Sequence, residues 1–408
     1  MSYVKLVFFM LLPFLCQLAF CSSISHLCPK DQALALLQFK HMFTLSHTQI
    51  YGILPEGVFH LSNLESLDLS DNPQLTVRFP TTKWNSSASL MELYLSGLNA
   101  TGRIPESFGH LPSLRTLRIA SCNLSGSIPK PLWNLTNIEV LDLGDNHLEG
   151  PISDFFRFGK MRSLSLANNN FNGQLEFLSF NKSWTQLEML DFSSNSLTGP
   201  IPSNFYSKSF DVVSLKQNQM EGPIPIQQSL RLLLLSHNNL SGEIASTICN
   251  LTKLVVIDLG SNNLEGTIPL CLGEMSELMI LDLSNNSLSG TINTTFSIGN
   301  QLIIIQMDRN KLEGKVPESL INCKYLKLLH LGNNELNDTF PKWLGALPDL
   351  QILNLTYNKV HGPIKASRTG NLFAYENEKA QEKILVCYLQ VFKLIFHNIN
   401  EFAYFLHA

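Results

Sequence analysis

The chain has 408 residues, only 15% of them charged, and a formal net charge of −4. Soluble domains average about a quarter charged residues, so neutral Asn, Ser and Leu fill much of that share here. With no Lys/Arg run or basic stripe, nucleic acid is not an expected partner, and eight cysteines without a CxxC pair give no expected metal site or cofactor.

The first element is an address. Lys5 precedes an apolar run from Leu6 to Phe20, followed by Ser22 and Ser23, which is the pattern of a signal peptide over residues 1–22. The run is shorter than the roughly 20 apolar residues a membrane span needs. Secretion places Cys28, Cys122, Cys249, Cys271, Cys323 and Cys387 in an oxidising compartment. Cys122 and Cys323 fall on buried positions of the repeat described below and are expected to be inert core residues; pairing among the rest is left open.

Residues 23–47 form an abbreviated cap. Cys28 to Lys40 has the spacing of a short amphipathic helix, and Phe43 and Leu45 stand where strand leucines would, so a degenerate coil is expected across the junction. From 48 to 364 one pattern recurs: L-x-x-L-x-L-x-x-N-x-L-x-G-x-I-P. Its Asn position runs through Asn72, Leu98, Cys122, Asn146, Asn169, Asn195, Asn218, Asn238, Asn262, Asn286, Asn310, Asn334 and Asn358, mostly in steps of 24 residues, with 26 and 20 as the extremes. Regular spacing at this period is the signature of a solenoid. The L-x-L segment alternates as a strand, sending Leu281 and Leu283 inward and Asp282 outward. One coil cannot bury its own leucines, but stacked coils can, and each fully buried Leu is worth about 1.5–3 kcal/mol.

The ladder Asn has a different task. It stands where the chain leaves the strand, and its amide can both donate to and accept from buried backbone groups, each of which would cost about 1–3 kcal/mol unpaired. Cys122 offers a weak donor and Leu98 none, so that edge is expected to be weaker. Gly266 and Pro269 set the corner.

After Pro363 the period stops. The tail, 365–408, carries mixed charge (Glu376, Glu378, Lys379, Glu382, Lys383) and an apolar run from Ile384 to Phe396 that is interrupted by Lys393. A frayed tail or an amphipathic helix over the last coil is expected in preference to a span.

The G-x-I-P form resembles the plant-specific class of leucine-rich repeats. That resemblance implies an α/β leucine-rich-repeat solenoid, a right-handed superhelix with a concave parallel β-sheet and about 13 repeats after a degenerate first. The blocks Lys5-Leu6-Val7-Phe8, Leu27-Cys28-Pro29, Arg78 to Leu90, Gly290 to Phe296 and Gly362-Pro363-Ile364 are similar to the tomato Cf-type disease-resistance receptor-like proteins. The resemblance extends from residue 1 to about 373. It implies a cell-surface immune receptor without a kinase, which perceives pathogen effectors and signals through partner receptor kinases. The chain departs from that family on both sides, lacking most of the cap with several early coils and everything after the start of the island. It is therefore expected to be a truncated member, and the resemblance reaches recognition more directly than membrane anchoring or kinase coupling.

In such a solenoid the outward strand residues face a partner. The central lane, four residues before each ladder position, contains Asp68, Asp142, Asp191, Asp258 and Asp282 as recurring surface filler. Its irregular members are Tyr94, Arg118, Leu234, Gln306 and His330, with Arg115, Arg162, Arg231, Arg309, Lys327 and Tyr357 in flanking lanes. Tyr and Arg are enriched at interface hot spots, so this set is the candidate ligand-binding face, although each alone is an ordinary solvated side chain. Sequons occur at Asn85, Asn99, Asn123, Asn134, Asn181, Asn239, Asn250, Asn285, Asn293, Asn337 and Asn354. Asn354 lies in the central lane and is expected to be unmodified or outside the contact area.

There is no kinase signature, G-x-S-x-G or P-loop, so an enzyme is not expected. The favoured reading is an extracellular recognition protein of plant innate immunity, in the apoplast or at the outer face of the plasma membrane, with a protein or peptide ligand of pathogen origin. The alternatives are a soluble apoplastic repeat inhibitor or decoy, and a non-functional truncated product.

Overall fold

The computed structural model describes residues 42–363 apart from 55, 62, 82, 83, 85–88, 153–157, 176–185, 203–209 and 226–229. The expected signal peptide, most of the expected cap, and the tail 365–408 lie outside the described residues. Two compact units are present. The first holds the described residues up to Asn172 together with Gln186 and Leu187; the second holds Gly173 to Leu175 and the described residues from Glu188 onward.

Each unit is a stack of coils joined by short parallel strands. In the first, Met42–Thr44, Ser66–Asp68, Glu92–Tyr94, Thr116–Arg118, Val140–Asp142 and Ser163–Ser165 pair in that order. In the second the order is Met189–Asp191, Val212–Ser214, Leu232–Leu234, Val256–Asp258, Ile280–Asp282, Ile304–Gln306, Leu328–His330 and Ile352–Asn354. The architecture is the leucine-rich-repeat solenoid, and Phe43, opposite Leu67, opens the first stack.

Strand register follows the repeat, not the step length. The 26-residue step still sets Leu93 against Leu67, and the 20-residue step sets Leu233 against Val213. A slip of one residue would turn every buried leucine outward. The central inward residues Leu93, Leu117, Leu141, Leu233, Leu281 and Leu329 are at most 1% exposed. In the first unit the long step is filled by aromatic side chains: the Trp84 ring lies 4.8 Å from Phe59 and 5.2 Å from Phe108 between ring centroids, and its Nε1 donates to Ser107 Oγ at 3.2 Å.

Beyond the strand the chain turns through a left-handed residue just before the ladder position, such as Ser261 at φ 54° or Asn333 at φ 52°, and again at the glycine of G-x-I-P, where Gly266 has φ 80°. A Cβ on Gly266 would lie 2.7 Å from Glu243 Cγ, so both backbone angle and space demand glycine. Between these turns lies a second set of parallel strands that the repeat pattern alone did not announce. Ser196–Pro200, Gln219–Gly222, Asn239–Glu243 and Asn263–Glu265 pair in series. Their inward Leu197, Met220, Leu240 and Leu264 are fully buried.

Among the described residues the helical part consists of single 3-10 segments, including Glu106–His110, Lys130–Asn134, Ser246–Asn250, Leu270–Gly273 and Glu318–Asn322. Pro105, Pro129, Pro269 and Pro317 stand at four of these N-caps. Their fixed φ starts the turn, and four or five residues are too few to repay α-helix nucleation. Cys249 and Cys271, on consecutive segments, form a disulfide with Cα atoms 5.7 Å apart. This assigns one pairing that spacing had left open.

Candidate ligand-binding face

The strand face is held by the ladder beneath it. Asn262 Nδ2 donates to Leu235 O of the preceding coil at 3.1 Å and to Leu259 O of its own at 3.1 Å, while its Oδ1 accepts from Leu240 N at 3.1 Å. Asn310 repeats the arrangement with Leu283 O, Met307 O and Leu288 N. From Asn218 to Asn358 each such amide ties two coils together, which fixes the spacing of the side chains above. At Cys122 the thiol takes the donor role toward Leu95 O at 3.0 Å. Burial pushes this thiol up to about 11 and that of Cys323 up to about 12, so both stay protonated and poorly nucleophilic.

The recurring Asp of the central lane has a local cause. Asp142, Asp191 and Asp282 each accept a hydrogen bond through Oδ1 from the backbone N–H two residues on, at Gly144, Ser193 and Ser284, over 2.9–3.1 Å. These carboxylates stabilise the turn that leaves the strand, a more specific role than surface filler. At Asp191 burial raises the pKa against the lowering effect of the Ser193 hydrogen bonds.

The irregular residues divide between the units. In the first, Tyr94 and Arg118 are register partners, and the guanidinium carbon lies 6.0 Å from the ring centroid. Burial and then Glu92 raise the Tyr94 phenol, which keeps it neutral and available as a donor. Arg115 is exposed and Arg162 half-buried, each just ahead of its strand. In the second unit, Leu234, Gln306 and His330 sit in the central lane with Gln306 beside His330. Arg231 and Lys327 flank it half-buried, and Arg309 and Tyr357 occupy the exposed left-handed turns. His330 Nδ1 lies 3.1 Å from Asp308 Oδ1, and its Nε2 lies 2.9 Å from Asn354 Nδ2. Asn354 Oδ1 in turn accepts from Thr356 N and Oγ1 at 2.9 and 2.7 Å. Both ends of the Asn354 amide are thus occupied, and the residue is buried.

Sequence reasoning missed a neighbouring lane. Two residues before the central lane, Met189, Val212, Leu232, Val256, Ile280, Ile304, Leu328 and Ile352 form an unbroken apolar stripe along the second unit, widened by Val255 and Ile303. Aligning that column of the repeat would have exposed it, since the first unit places Ser66, Glu92, Thr116, Val140 and Ser163 there.

Of the sequons, Asn99, Asn123, Asn134, Asn239, Asn250, Asn285, Asn293 and Asn337 are exposed. Asn85 and Asn181 lie outside the described residues. Among the described residues no helix is long and apolar enough to cross a membrane, and no three His, Cys, Asp or Glu side chains gather as metal ligands.

Leucine-rich-repeat family models match residues 113–135, 137–158, 186–207, 229–251, 253–275, 277–297 and 300–360. The chain is 72% identical over 142 residues to a receptor-like protein Cf-9 homolog of Solanum lycopersicum, a stretch covering 35% of this chain and 17% of that protein. It is 70% identical over 76 residues to receptor-like protein Cf-9 of Solanum pimpinellifolium, covering 18% and 9%. The matched stretch is therefore under a fifth of either relative's own length. Among solved structures, the plant peptide hormone receptor RGFR1 in complex with RGF2 superposes with a TM-score of 0.68 at 28% identity, over 79% of this chain and 55% of that one. The Arabidopsis receptor kinase HAESA ectodomain, in complex with an extended IDA peptide hormone, gives 0.67 at 26% identity, over 80% and 60%.

Proposed function

We propose that this chain, a Cf-like plant leucine-rich-repeat protein, is an extracellular recognition protein of plant innate immunity that binds a pathogen-derived protein or peptide on its strand face. The observation that carries this reading is the sequence identity to the Cf receptor-like proteins. It is supported by the two solved plant receptors of like fold that hold peptides, and by a strand face whose lanes are fixed by the ladder. On that face Tyr94 and Arg118, with Arg115 and Arg162 nearby, offer an amphipathic and cationic contact in the first unit. Arg231, Leu234, Gln306, Lys327, His330, Arg309 and Tyr357 offer the counterpart in the second. Backbone rigidity beneath these side chains lowers the ordering cost of binding. Exposed sequons on the turns and outer segments suit a secreted glycoprotein. Downstream signalling passes to a partner receptor kinase, as in the family resembled.

The test is expression of the tagged chain in leaf tissue, with fractionation and challenge by culture filtrates of fungal pathogens. The expected result is protein in the apoplastic fluid or at the cell surface, and an oxidative burst to at least one filtrate that the Y94A/R118A variant loses while keeping its thermal midpoint. Retention in the cytosol would overturn the reading. Inhibition of an added polygalacturonase without any burst would replace it with the soluble inhibitor.

A further inference from the structure

Hydrogen-bond directions around His330 fix where its proton sits. The backbone N–H of Thr356 can only donate, and it donates to Asn354 Oδ1 at 2.9 Å, as Thr356 Oγ1 does at 2.7 Å. The Asn354 amide is thereby oriented, with Nδ2 turned to His330 Nε2 at 2.9 Å. An amide nitrogen is a donor only, so Nε2 must accept, and the ring is neutral with its hydrogen on Nδ1. That hydrogen lies on the side of Asp308, whose Oδ1 is 3.1 Å from Nδ1, a charge contact rather than an aligned hydrogen bond. The network is closely packed: a Cβ on Gly332 would stand 3.1 Å from Asn354 Oδ1 and 3.3 Å from His330 Nε2.

We infer that His330 is a proton-operated latch on the Thr356–Tyr357 turn, closed when the ring is neutral and opened when it is protonated. A second ring proton would sit on Nε2 and point at the Asn354 NH2 group, donor against donor. Rotating the amide does not relieve this, because Nδ2 would then face the Thr356 N–H, again donor against donor. The conflict ends when the Thr356 N–H lets go. Asp308 makes protonation attainable, since its carboxylate attracts an imidazolium at this distance, while the Asn354 bond opposes it. The His330 and Asp308 side chains are only 12% and 6% exposed, and a buried donor left facing a donor is costly. Among the described residues, the other titratable groups on the strand side of the neighbouring coils are Asp282, Arg309, Lys327 and Tyr357. Asp282 Oδ1 accepts from Ser284 N and Oγ, Lys327 is half-buried ahead of the strand, and Arg309 and Tyr357 are exposed on left-handed turns. The latch is therefore closed above the pH at which His330 takes its proton and open below it.

Tyr357 adjoins the released bond and His330 lies in the central lane, so opening reshapes the face assigned to a ligand. That consequence rests on the binding role proposed above; the latch itself does not, and its test uses no ligand. Hydrogen exchange of the Thr356 amide is followed by mass spectrometry with single-residue fragmentation in the full secreted chain. The range is about pH 5–8, where imidazoles titrate, and rates are corrected for the intrinsic pH dependence of exchange. The expected result is a loss of protection of about tenfold on acidification, the equivalent of one hydrogen bond. The Leu312 N–H, held by Asn334 Oδ1 at 3.0 Å, should keep its protection. H330Q, which cannot titrate, should protect Thr356 equally at every pH. N354D should reverse the sign, because a carboxylate accepts from the Thr356 N–H and from an Nε2–H together. Protection that stays constant with pH in the unaltered chain, or falls as much in H330Q or N354D, would overturn the proposal.

Discussion

Replacing Asn262 by Ala tests the ladder where it is most regular. Four backbone groups use this amide: Leu240 N, Leu235 O, Leu259 O and Gly260 O. The three carbonyls are shared, since Leu235 O also accepts from Asn238 at 3.0 Å, Leu259 O from Asn286 at 3.0 Å and Gly260 O from His237 N at 2.9 Å. Each therefore keeps one partner in the variant, and only the buried Leu240 N–H is orphaned. An orphaned group costs about 1–3 kcal/mol, and each lost but backed-up bond adds about 0.5 kcal/mol at the low end of the usual range. The expected destabilisation is about 2.5–4.5 kcal/mol, read as a lowered urea midpoint by circular dichroism, with accelerated hydrogen exchange at Leu240. N262D should be worse than N262A, because the oxygen replacing Nδ2 faces three carbonyls and the carboxylate brings a charge into a buried site. E265A, at an exposed position of the same coil, is the control. If N262A cost no more than E265A, the view that the ladder amide satisfies otherwise buried backbone would be wrong.

Other expectations follow from the same geometry. Cys122→Asn should raise stability by about 1 kcal/mol, because a full amide donor would replace the thiol at Leu95 O; a lower midpoint in equilibrium unfolding would argue against it. Removing the Cys249–Cys271 bridge by C249S/C271S should cost about 3 kcal/mol, the loop-closure value for its sequence separation of 22, and a midpoint unchanged from the oxidised parent would refute that figure. The Cys122 and Cys323 thiols, raised to about 11 and about 12, stay neutral in the fold while unfolded thiols ionise near 9. Their contribution to stability is thus present below that unfolded pKa and lost as pH rises from about 9 toward 12, and native-state labelling at pH 8 should be far slower than labelling in denaturant. Mass analysis of the plant-secreted protein should find glycan on several of the exposed sequons and none on Asn354, whose amide is engaged at both ends; a glycan there would contradict the hydrogen bonding to His330 and Thr356.

The sequence by itself determined the coil. Leucines two apart, an Asn three after the second, and a Gly-x-Ile-Pro corner each impose a local geometry, and their repetition at a near-constant step allows stacking as the only way to bury Leu281 and its counterparts. The ladder was legible for the same reason, since a buried amide at the strand exit has few roles other than backbone partner. Tertiary structure decided what depends on the neighbouring coil or on distant chain. The Asp of the central lane proved to be a turn acceptor, a fact set by backbone angles two residues away. Cys249 and Cys271 became partners because consecutive outer segments bring them together. The apolar stripe became continuous because strand pairing sets Val256, Ile280 and Ile304 side by side, a neighbourhood that no single coil contains.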